Sequence, residues 1–421
     1  MTDGTKMNTR SPKKRITLWL AIVGLALVVV PAAQADKKKK KKEAEPAPAK
    51  IEKIDHSQID TSKLVWPLPP DVPRIKFVQE LYGEERPTAP EGQPSKKRQS
   101  WMDRVAGLPT TDSGAFKKDV RHLFAKPYGI GEDSKGRVYV ADSYVAAVFV
   151  FDLEKKETKL IRNGIEAKFG TIIGLLVDDT DRLFVVDAQM HRVAVLDKDW
   201  KLESYFGDDN LVHPGGIAID ESNRFLYVSD TGKDEIAVFD ADTFKFLRTI
   251  GGPPRRLGAD DPGTLSKPSN VAVDREGLIY VSDTMNNRIQ IFDADGQFVS
   301  MFGKHGDGLG CFERPKGISI DSDGHIWVVD ASQNRVQIFD KEGNLLAYFG
   351  VGGTLPGQFS VPSGIYIDKR NRVYVAEQFK ARLQIFQYVT DDEAKAEKEE
   401  RQKKAPAAAN AQAGPASPGQ R

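Results

Sequence analysis

The strongest constraint on the fold is a 14-residue segment that recurs six times along the chain. In each copy an acid ends one strand-like run, and nine residues separate it from the position that ends the next. The unit returns every 43 to 53 residues, which suits a four-stranded blade better than a leucine-rich or ankyrin repeat. The copies are YVADSYVAAVFVFD (139–152), FVVDAQMHRVAVLD (184–197), YVSDTGKDEIAVFD (227–240), YVSDTMNNRIQIFD (280–293), WVVDASQNRVQIFD (327–340) and YVAEQFKARLQIFQ (374–387).

A second pattern precedes each copy: a short apolar run that ends in an acid and leads into a turn such as DSDGH or DREGL. This turn chemistry, followed by an aromatic-led run, predicts a β-hairpin. After the third run, segments such as DADGQFVSMFG (293–303) predict a fourth strand that ends in an aromatic residue and Gly. Each unit is therefore predicted to be a four-stranded antiparallel meander. The preceding runs are KPYGIGED (126–133), TIIGLLVD (171–178), HPGGIAID (213–220), KPSNVAVD (267–274), RPKGISID (314–321) and VPSGIYID (361–368).

These landmarks resemble the NHL-repeat family, whose blades read P-x-G-I-x-V-D, Y-V-x-D and N-x-R-I-x-x-F-D, with a fourth strand that closes in F-G. The resemblance covers residues 126–387. It implies an all-β fold, a six-bladed β-propeller with the first strand of each blade innermost around a central channel. A propeller alone implies no function.

The sixth unit ends after its third strand, at residues 382–389, and an acidic, Ala-rich tail follows. Residues 73–83, PRIKFVQELYG, alternate apolar and polar and end in Tyr-Gly like the missing fourth strand. We predict that they pair with the third strand of blade six and close the ring. Closure would remove the exposed sheet edges that invite aggregation.

The N-terminus has the pattern of an export signal. Basic residues precede an apolar run of about 15 residues, and a small-residue cleavage pattern ends at Ala35. We predict a secreted bacterial protein, periplasmic or on the cell surface, whose signal peptide, residues 1–35, is cleaved. The alternative is an uncleaved segment that tethers the protein and makes its only membrane contact, because the hexalysine at 37–42 opposes transfer of this flank.

The remaining chain divides by composition. Two segments rich in charged residues, Ala and Pro are predicted to be disordered and solvated, and they flank a propeller domain that carries an insertion before blade one. The predicted parts are a linker at 36–65, the propeller at 66–389 with its insertion at 84–125, and a tail at 390–421.

Charge and motifs exclude several functions. The propeller region, 66–389, holds 41 Lys and Arg against 47 Asp and Glu, the wrong sign for a nucleic-acid footprint. The chain contains no G-x-S-x-G elbow, H-E-x-x-H, Walker loop or Rossmann fingerprint. We therefore predict a non-catalytic binding or scaffold propeller, without a cofactor, rather than an enzyme.

The acids that end the second strands are predicted to be structural. Four of the six have an Arg five residues further on, a spacing consistent with a repeated ion pair that braces the loop. A pair repeated in four blades indicates architecture rather than a catalytic ring. The acids are Asp142, Asp187, Asp230, Asp283, Asp330 and Glu377, and the arginines are Arg192, Arg288, Arg335 and Arg382.

Three histidines leave a metal enzyme open as the alternative. His191, His213 and His305 all fall in loops that a propeller places on one face. Three imidazoles can bind zinc, and the peptidylglycine amidating lyases of this fold hold a metal with histidines at the channel mouth. The alternative function is thus a metal-dependent lyase or lactonase-like enzyme with zinc or calcium.

Departures from the repeat are the better guide to a binding site. Glu132 stands where the other innermost strands have Val or Ile. It is predicted to bind a ligand; the alternative is that its carboxylate only extends to the solvent at the channel rim or pairs with Lys126. In blades one and three, Ala147 and Glu235 replace the bracing Arg. Asp142, Asp230 and Glu235 are therefore predicted to be acidic contacts for a ligand.

The position before each innermost strand is predicted to ring the channel mouth. It holds three fixed cations and one titratable His, a set that binds anions unless each cation pairs with a neighbouring strand-end acid. With the acids named above, the predicted ligand is a mixed-charge protein or peptide segment in the cell envelope, bound by a monomeric propeller. The six positions are Lys126, Thr171, His213, Lys267, Arg314 and Val361.

Overall fold

The computed structural model describes residues 60–68, 71–84, 123–253 and 261–400. These all belong to one unit, Asp55–Arg421. The predicted signal peptide, most of the predicted linker, most of the insertion and the end of the tail lie outside the described residues. Within the described part, no helix is both long and apolar enough to cross a bilayer.

Twenty-five strands within the described residues form six antiparallel sheets, and each sheet is one blade. The first thirteen strands, in chain order, are β1 (Val65–Trp66), β2 (Ile75–Leu81), β3 (Pro127–Glu132), β4 (Val138–Asp142), β5 (Ala147–Asp152), β6 (Glu157–Arg162), β7 (Ile172–Val177), β8 (Leu183–Asp187), β9 (Arg192–Leu196), β10 (Leu202–Phe206), β11 (Pro214–Asp220), β12 (Phe225–Asp230) and β13 (Glu235–Asp240).

The other strands complete blades three to six. They are β14 (Phe246–Gly251), β15 (Pro268–Val273), β16 (Ile279–Asp283), β17 (Arg288–Phe292), β18 (Phe298–Phe302), β19 (Pro315–Ile320), β20 (Ile326–Asp330), β21 (Arg335–Phe339), β22 (Leu345–Phe349), β23 (Pro362–Ile367), β24 (Arg372–Glu377) and β25 (Arg382–Tyr388). Blades one to five are four-stranded meanders, and the innermost strands β3, β7, β11, β15, β19 and β23 contact one another around the ring. The predicted six-bladed propeller is confirmed.

The apolar core lies between the blades. Among the described residues, six clusters of buried apolar side chains occur, one at each junction of neighbouring blades. The cluster between blades six and one, for example, joins Ile130 and Phe149 of blade one to Tyr374 and Ile385 of blade six. Strand alternation explains this arrangement, because successive side chains point to opposite faces of a blade, and each face meets a neighbour.

A buried turn aspartate explains the aromatic residue that leads most second strands. Asp133 directly follows β3, the first strand of blade one, and accepts a hydrogen bond from the Tyr139 hydroxyl over 3.0 Å. In blade five, Asp321 likewise accepts a hydrogen bond from the indole N–H of Trp327 over 2.8 Å. Backbone N–H groups two and four residues after each aspartate donate to its other oxygen, so the carboxylate organises the hairpin turn.

Blade six contains five strands. Strand β2 pairs antiparallel with β25, from Ile75 opposite Tyr388 to Leu81 opposite Leu383, as the sequence predicts for residues 73–83. That this pairing keeps the ring intact stays a prediction. Strand β1 then pairs with β2 and places Trp66 against Phe349, with ring centroids 5.7 Å apart. The predicted linker therefore ends too late, since residue 65 already belongs to the sheet.

The predicted solvated tail begins with ordered structure. Residues 391–400 form a helix, α1, in which Ala394 is buried. Asp391 forms an ion pair with Arg74, and the Lys76 ammonium lies 3.9 Å from a carboxylate oxygen of Glu397. A disordered tail from residue 390 is thus wrong up to residue 400, because α1 has partners on the N-terminal segment that the composition of the tail does not reveal.

The ends of the insertion meet each other. Gly83 and Leu123 form an isolated antiparallel bridge, and the Phe124 N–H donates to the Tyr82 carbonyl over 3.0 Å. Phe124 also packs in the cluster between blades six and one. The chain therefore leaves and re-enters the propeller at a single place.

Candidate functional site

The innermost strands define two faces of the propeller. Each begins on one face, here called the rim face, and ends on the other, the turn face. The loop between the second and third strands of each blade also lies on the rim face and touches the next blade. For example, the Lys267 N–H donates to Asp234 over 2.8 Å, and the Val361 N–H donates to Asn334 over 2.8 Å.

The strand-end acids hold the rim backbone in place. In blade one, Asp142 accepts hydrogen bonds from the N–H groups of Ala125 at 2.7 Å and Lys126 at 2.9 Å. Its other oxygen accepts from Tyr144 and Val145. In every blade the corresponding acid accepts at least one backbone N–H from the segment before the innermost strand, through Asp142, Asp187, Asp230, Asp283, Asp330 and Glu377.

The predicted acid–arginine pair occurs in two of the four blades. Arg288 lies 2.9 Å from Asp283, and Arg382 lies 2.6 Å from Glu377. In blade two, Arg192 instead stacks on Tyr205, 3.6 Å from the ring centroid. In blade five, Arg335 donates to Gln333 over 2.7 Å. The prediction is wrong there because backbone N–H groups already occupy the Asp187 and Asp330 carboxylates.

Asp142 and Asp230 are not available to a ligand. Both are 0% exposed, and backbone N–H groups occupy their carboxylate oxygens. The prediction that these two residues contact a ligand is therefore wrong. Although neither has a bracing Arg, backbone N–H groups of the loops donate hydrogen bonds to both carboxylates. Glu235 is partly exposed and lies 3.7 Å from the Lys233 ammonium, while burial raises the pKa of its carboxyl.

Glu132 lies on the turn face, at the end of β3, and so it does not belong to the rim. It forms an ion pair with Arg370, and its Oε1 lies 3.1 Å from Arg372. The predicted pairing with Lys126 is wrong because these residues lie at opposite ends of the same strand. Burial raises the pKa of Glu132, and the two guanidiniums act against that rise.

The rim cations are exposed and carry few ion pairs. Lys126, His213, Lys267 and Arg314 are all exposed. The Lys267 ammonium donates to the Thr231 carbonyl over 2.8 Å and lies 3.6 Å from Asp234, while the Lys126 ammonium lies 5.9 Å from the Tyr144 ring centroid. The Arg314 guanidinium has no hydrogen bond or ion pair within the described part of the chain. The cations therefore do not pair with the strand-end acids.

Two of the three candidate metal ligands are neighbours. The rings of His191 and His213 lie 5.7 Å apart, and His191 Nδ1 contacts the Val212 carbonyl. His305 lies in the crossing to blade five, where it bridges to Phe312. Across the described ranges, no three His, Cys, Asp or Glu residues group closely enough to hold a metal ion.

Aliphatic side chains and polar groups both line the channel beneath the rim. The innermost strands enclose a cavity of about 210 Å³ whose lining includes Leu176, Ile219, Val273, Ile320 and Ile365. Tyr128 lines it near the rim face and Tyr366 near the turn face. A ligand that enters from the rim therefore leaves a charged surface for one that is uncharged and partly aliphatic.

Lys316 is a channel-mouth residue that the sequence analysis missed. Its ammonium lies 5.5 Å from the ring centroid of Tyr128, although blade six separates their blades. Burial, helped by the nearby Arg314 guanidinium, lowers the pKa of Lys316 to about 8. The sequence does contain a signal: two positions after the rim residue, the other five repeats carry no charge, with Tyr128, Ile173, Gly215, Ser269 and Ser363.

The similar proteins include a propeller family model and two curated relatives. A family model described as a 6-bladed β-propeller matches residues 257–336. A probable peptidyl-alpha-hydroxyglycine alpha-amidating lyase of Caenorhabditis elegans is 30% identical over 26% of this chain and 30% of its own length. NHL repeat-containing protein 2 of Bos taurus is 31% identical over 22% of this chain and 13% of its own length.

Among solved structures, a gluconolactonase from Xanthomonas campestris superposes with a TM-score of 0.49 and 17% identity, over 64% of this chain and 90% of its own. The chain spans less than a third of the length of either curated relative. The ordered repeats, the six blades and the NHL-repeat relative together support an NHL-type six-bladed β-propeller.

Proposed function

We propose that this protein is a non-catalytic binding propeller of the cell envelope whose rim face recognises an acidic segment of a protein or peptide partner. The observation that carries the proposal is the charge arrangement at the channel mouth. The six rim positions hold Lys126, Lys267 and Arg314, one imidazole and no acid, while the strand-end acids beneath them are buried against backbone N–H groups. Exposed cations of this kind favour an anionic partner.

The buried acids change the expected ligand. The sequence predicts a mixed-charge ligand because it counts Asp142 and Asp230 as contacts. Since both are 0% exposed, the acidic contribution of the rim face shrinks to partly exposed side chains such as Glu235 and Asp234. An acidic segment is therefore the better match. The envelope location rests on the predicted export signal alone.

A charge-reversal experiment tests this proposal. The rim variant carries Lys126→Glu, Lys267→Glu and Arg314→Glu, and the control carries Lys135→Glu, Lys198→Glu and Lys369→Glu, three exposed residues of the turn face. Both variants change the net charge equally. We expect the wild type and the control to retain the same partners from an envelope extract, and the rim variant to lose them with an unchanged melting curve.

The outcomes separate recognition from structure. Retention of the same partners by the rim variant would overturn the proposal. So would equal loss in both variants, because that result reports overall charge rather than the rim. A lower melting temperature of the rim variant alone would assign the three cations to stability instead.

The second candidate is a metal-dependent lyase or lactonase-like enzyme on the same face, which the proximity of His191 and His213 favours. Two imidazoles supply part of a zinc site, which normally has three or four protein ligands. Metal analysis of the purified full-length protein tests it. One equivalent of zinc or calcium, lost in His213→Ala, would support the enzyme over the binding propeller.

A further inference from the structure

Lys316 is positioned by the repeat to face the channel mouth. It occupies the position that holds Tyr128 and Ile173 in blades one and two, and both of those residues line the cavity. Its ammonium reaches the Tyr128 ring across the front of blade six, where the corresponding residue is the small Ser363. A longer side chain at residue 363 would block this reach.

Lys316 has no counter-ion. Among the described residues, no carboxylate forms an ion pair with Lys316 or Arg314, and the ammonium has no hydrogen bond. The Tyr128 ring provides a cation–π contact, which is weaker than pairing with a carboxylate. A half-buried cation without an anion is costly, and an anionic ligand would remove that cost.

The space next to Lys316 accepts an apolar group. The cavity that Tyr128 lines has a volume of about 210 Å³, and its walls combine aliphatic side chains such as Ile320 with polar residues such as Asn270 and Ser319. Apolar cavities of about 150 Å³ accept a benzene-sized group. A ligand whose charged end stays at the mouth could therefore bury an aliphatic side chain in the channel.

We propose that Lys316 and Arg314 bind the carboxylate of a ligand whose apolar body enters the channel beneath Tyr128. This inference rests on the proposed function, because it names the group by which an acidic partner engages the rim. A free carboxylic acid with an aliphatic chain and a peptide that ends in an aliphatic residue share this chemistry. The two sources differ in how far the ligand continues over the rim.

Calorimetric titration with defined probes tests the site. N-acetyl-leucine carries the carboxylate and the aliphatic body, N-acetyl-leucinamide lacks the charge, and N-acetylglycine lacks the body. We expect N-acetyl-leucine to bind at least tenfold more tightly than either of the others. A tetrapeptide with C-terminal Leu distinguishes the sources: tenfold tighter binding than N-acetyl-leucine supports a peptide, and equal binding supports a free acid.

Three variants assign the contacts. Lys316→Met keeps the length of the side chain and should weaken N-acetyl-leucine binding at least tenfold, while Lys369→Met on the turn face should change it less than twofold. Ser319→Leu introduces the residue that blade two carries as Leu176 and fills the cavity. It should weaken N-acetyl-leucine binding and leave N-acetylglycine binding unchanged.

The pH dependence adds a readout that a structural role would not move. Two titratable groups face Lys316. The Arg314 guanidinium lowers the pKa of Lys316, and burial raises the pKa of the Tyr128 hydroxyl to about 12. Since the protonated ammonium binds the carboxylate, affinity should fall as the pH rises above about 8. In Lys316→Met this fall should be absent.

The proposal is wrong if N-acetyl-leucine does not bind, if its amide binds equally well, or if Lys316→Met binds it normally. If N-acetyl-leucine does not bind at Lys316 but the rim charge reversal still removes the partner, only the carboxylate site is refuted and the proposed function is supported. Conversely, Lys316-dependent binding of N-acetyl-leucine with an unaffected partner set would support the carboxylate site and refute recognition by the rim. Melting curves of all variants show whether each one is folded.

Discussion

The Ser363 hydroxyl donates a hydrogen bond to the Pro127 carbonyl over 3.1 Å and so joins the innermost strands of the last and first blades. A similar contact joins blades four and five, where the Ser269 hydroxyl lies 3.4 Å from the Pro315 carbonyl. Further from the channel, β2 pairs with β25 in blade six. The last and first blades are therefore in contact beside the channel, and the N-terminal strand lies at the outer side of blade six.

The first prediction concerns the N-terminal strand. Ile75 is 1% exposed in the core of blade six, whereas Val78 of the same strand is 47% exposed at the bulge. We expect Ile75→Ala to lower the free energy of unfolding by about 3 kcal/mol, through lost burial and the resulting cavity. Val78→Ala should change it by less than about 0.5 kcal/mol. Denaturant unfolding measures both.

Deletion of residues 73–83 is the stronger form of this test. Without β2 the outer edge of β25 is exposed, so we expect an aggregating or protease-sensitive protein. A deletion variant that stays monomeric and keeps the melting temperature of the wild type would contradict a role for this strand in maintaining the ring.

The second prediction concerns the buried ion pair of blade six. Arg382 is fully buried and lies 2.6 Å from Glu377 and 2.7 Å from Glu80. Arg382→Met leaves Glu377 buried without its cation and should destabilise the protein by about 3–5 kcal/mol. Arg335→Met in blade five is the matched control and should cost much less, since Arg335 forms no ion pair with the described residues. Equal effects in urea unfolding would contradict this account.

The third prediction uses two tyrosines at the same repeat position. The Tyr280 hydroxyl donates to Asp274 over 3.0 Å, whereas the buried Tyr227 hydroxyl has no hydrogen-bond partner among the described residues. Tyr280→Phe should destabilise the protein by about 1 kcal/mol, and Tyr227→Phe should be neutral or stabilising. Thermal unfolding of the wild type and both variants measures the two changes in stability. A loss of stability in Tyr227→Phe would indicate an unseen partner for that hydroxyl.

The fourth prediction is a pH dependence at the start of α1. A hydrogen bond to Asp321, at 3.0 Å, raises the pKa of His325 above its usual value, and Asp323 and Asp391 act in the same direction. Because the folded pKa exceeds the unfolded one, the stabilisation is fully present below about pH 6.5 and is lost as the pH rises through the folded pKa. Other nearby groups are Tyr388 and Arg74.

Melting temperatures at low and high pH test this linkage. The wild type should lose more stability between pH 5.5 and 8.5 than His325→Gln does. His305→Gln is the control, because that exposed side chain has no ion pair within the described residues, and it should behave like the wild type. An identical pH profile for His325→Gln and the wild type would contradict the prediction.

The repeat predicts the blades well because each landmark has one local structural cause. The turn aspartates and the glycines after them specify hairpins, and the apolar alternation specifies which faces meet. The role of residues 73–83 could be predicted because one strand was missing from a count of four. Strand β1 could not be predicted, since only two residues pair and Pro67 follows them directly.

The candidate site was harder to predict because it depends on side-chain partners. Sequence spacing shows that Asp142 lacks an Arg five residues on, but not that four backbone N–H groups replace it. Lys316 was not predicted because the predicted rim contains only the residue directly before each innermost strand. Its importance comes from reaching across blade six to Tyr128, a relation between residues 188 positions apart.

Strand β2 and its partner β25 are separated by about three hundred residues, and this separation orders events during synthesis. The Arg382 guanidinium and the Glu80 carboxylate that it contacts lie 302 positions apart. Nearly the whole chain must leave the ribosome before blade six can assemble, so a polypeptide cut short within its last repeat retains an unpaired N-terminal strand. Until residues 382–388 follow, the edge of β2 that pairs with β25 exposes its backbone N–H and C=O groups, and such an edge favours pairing with other chains.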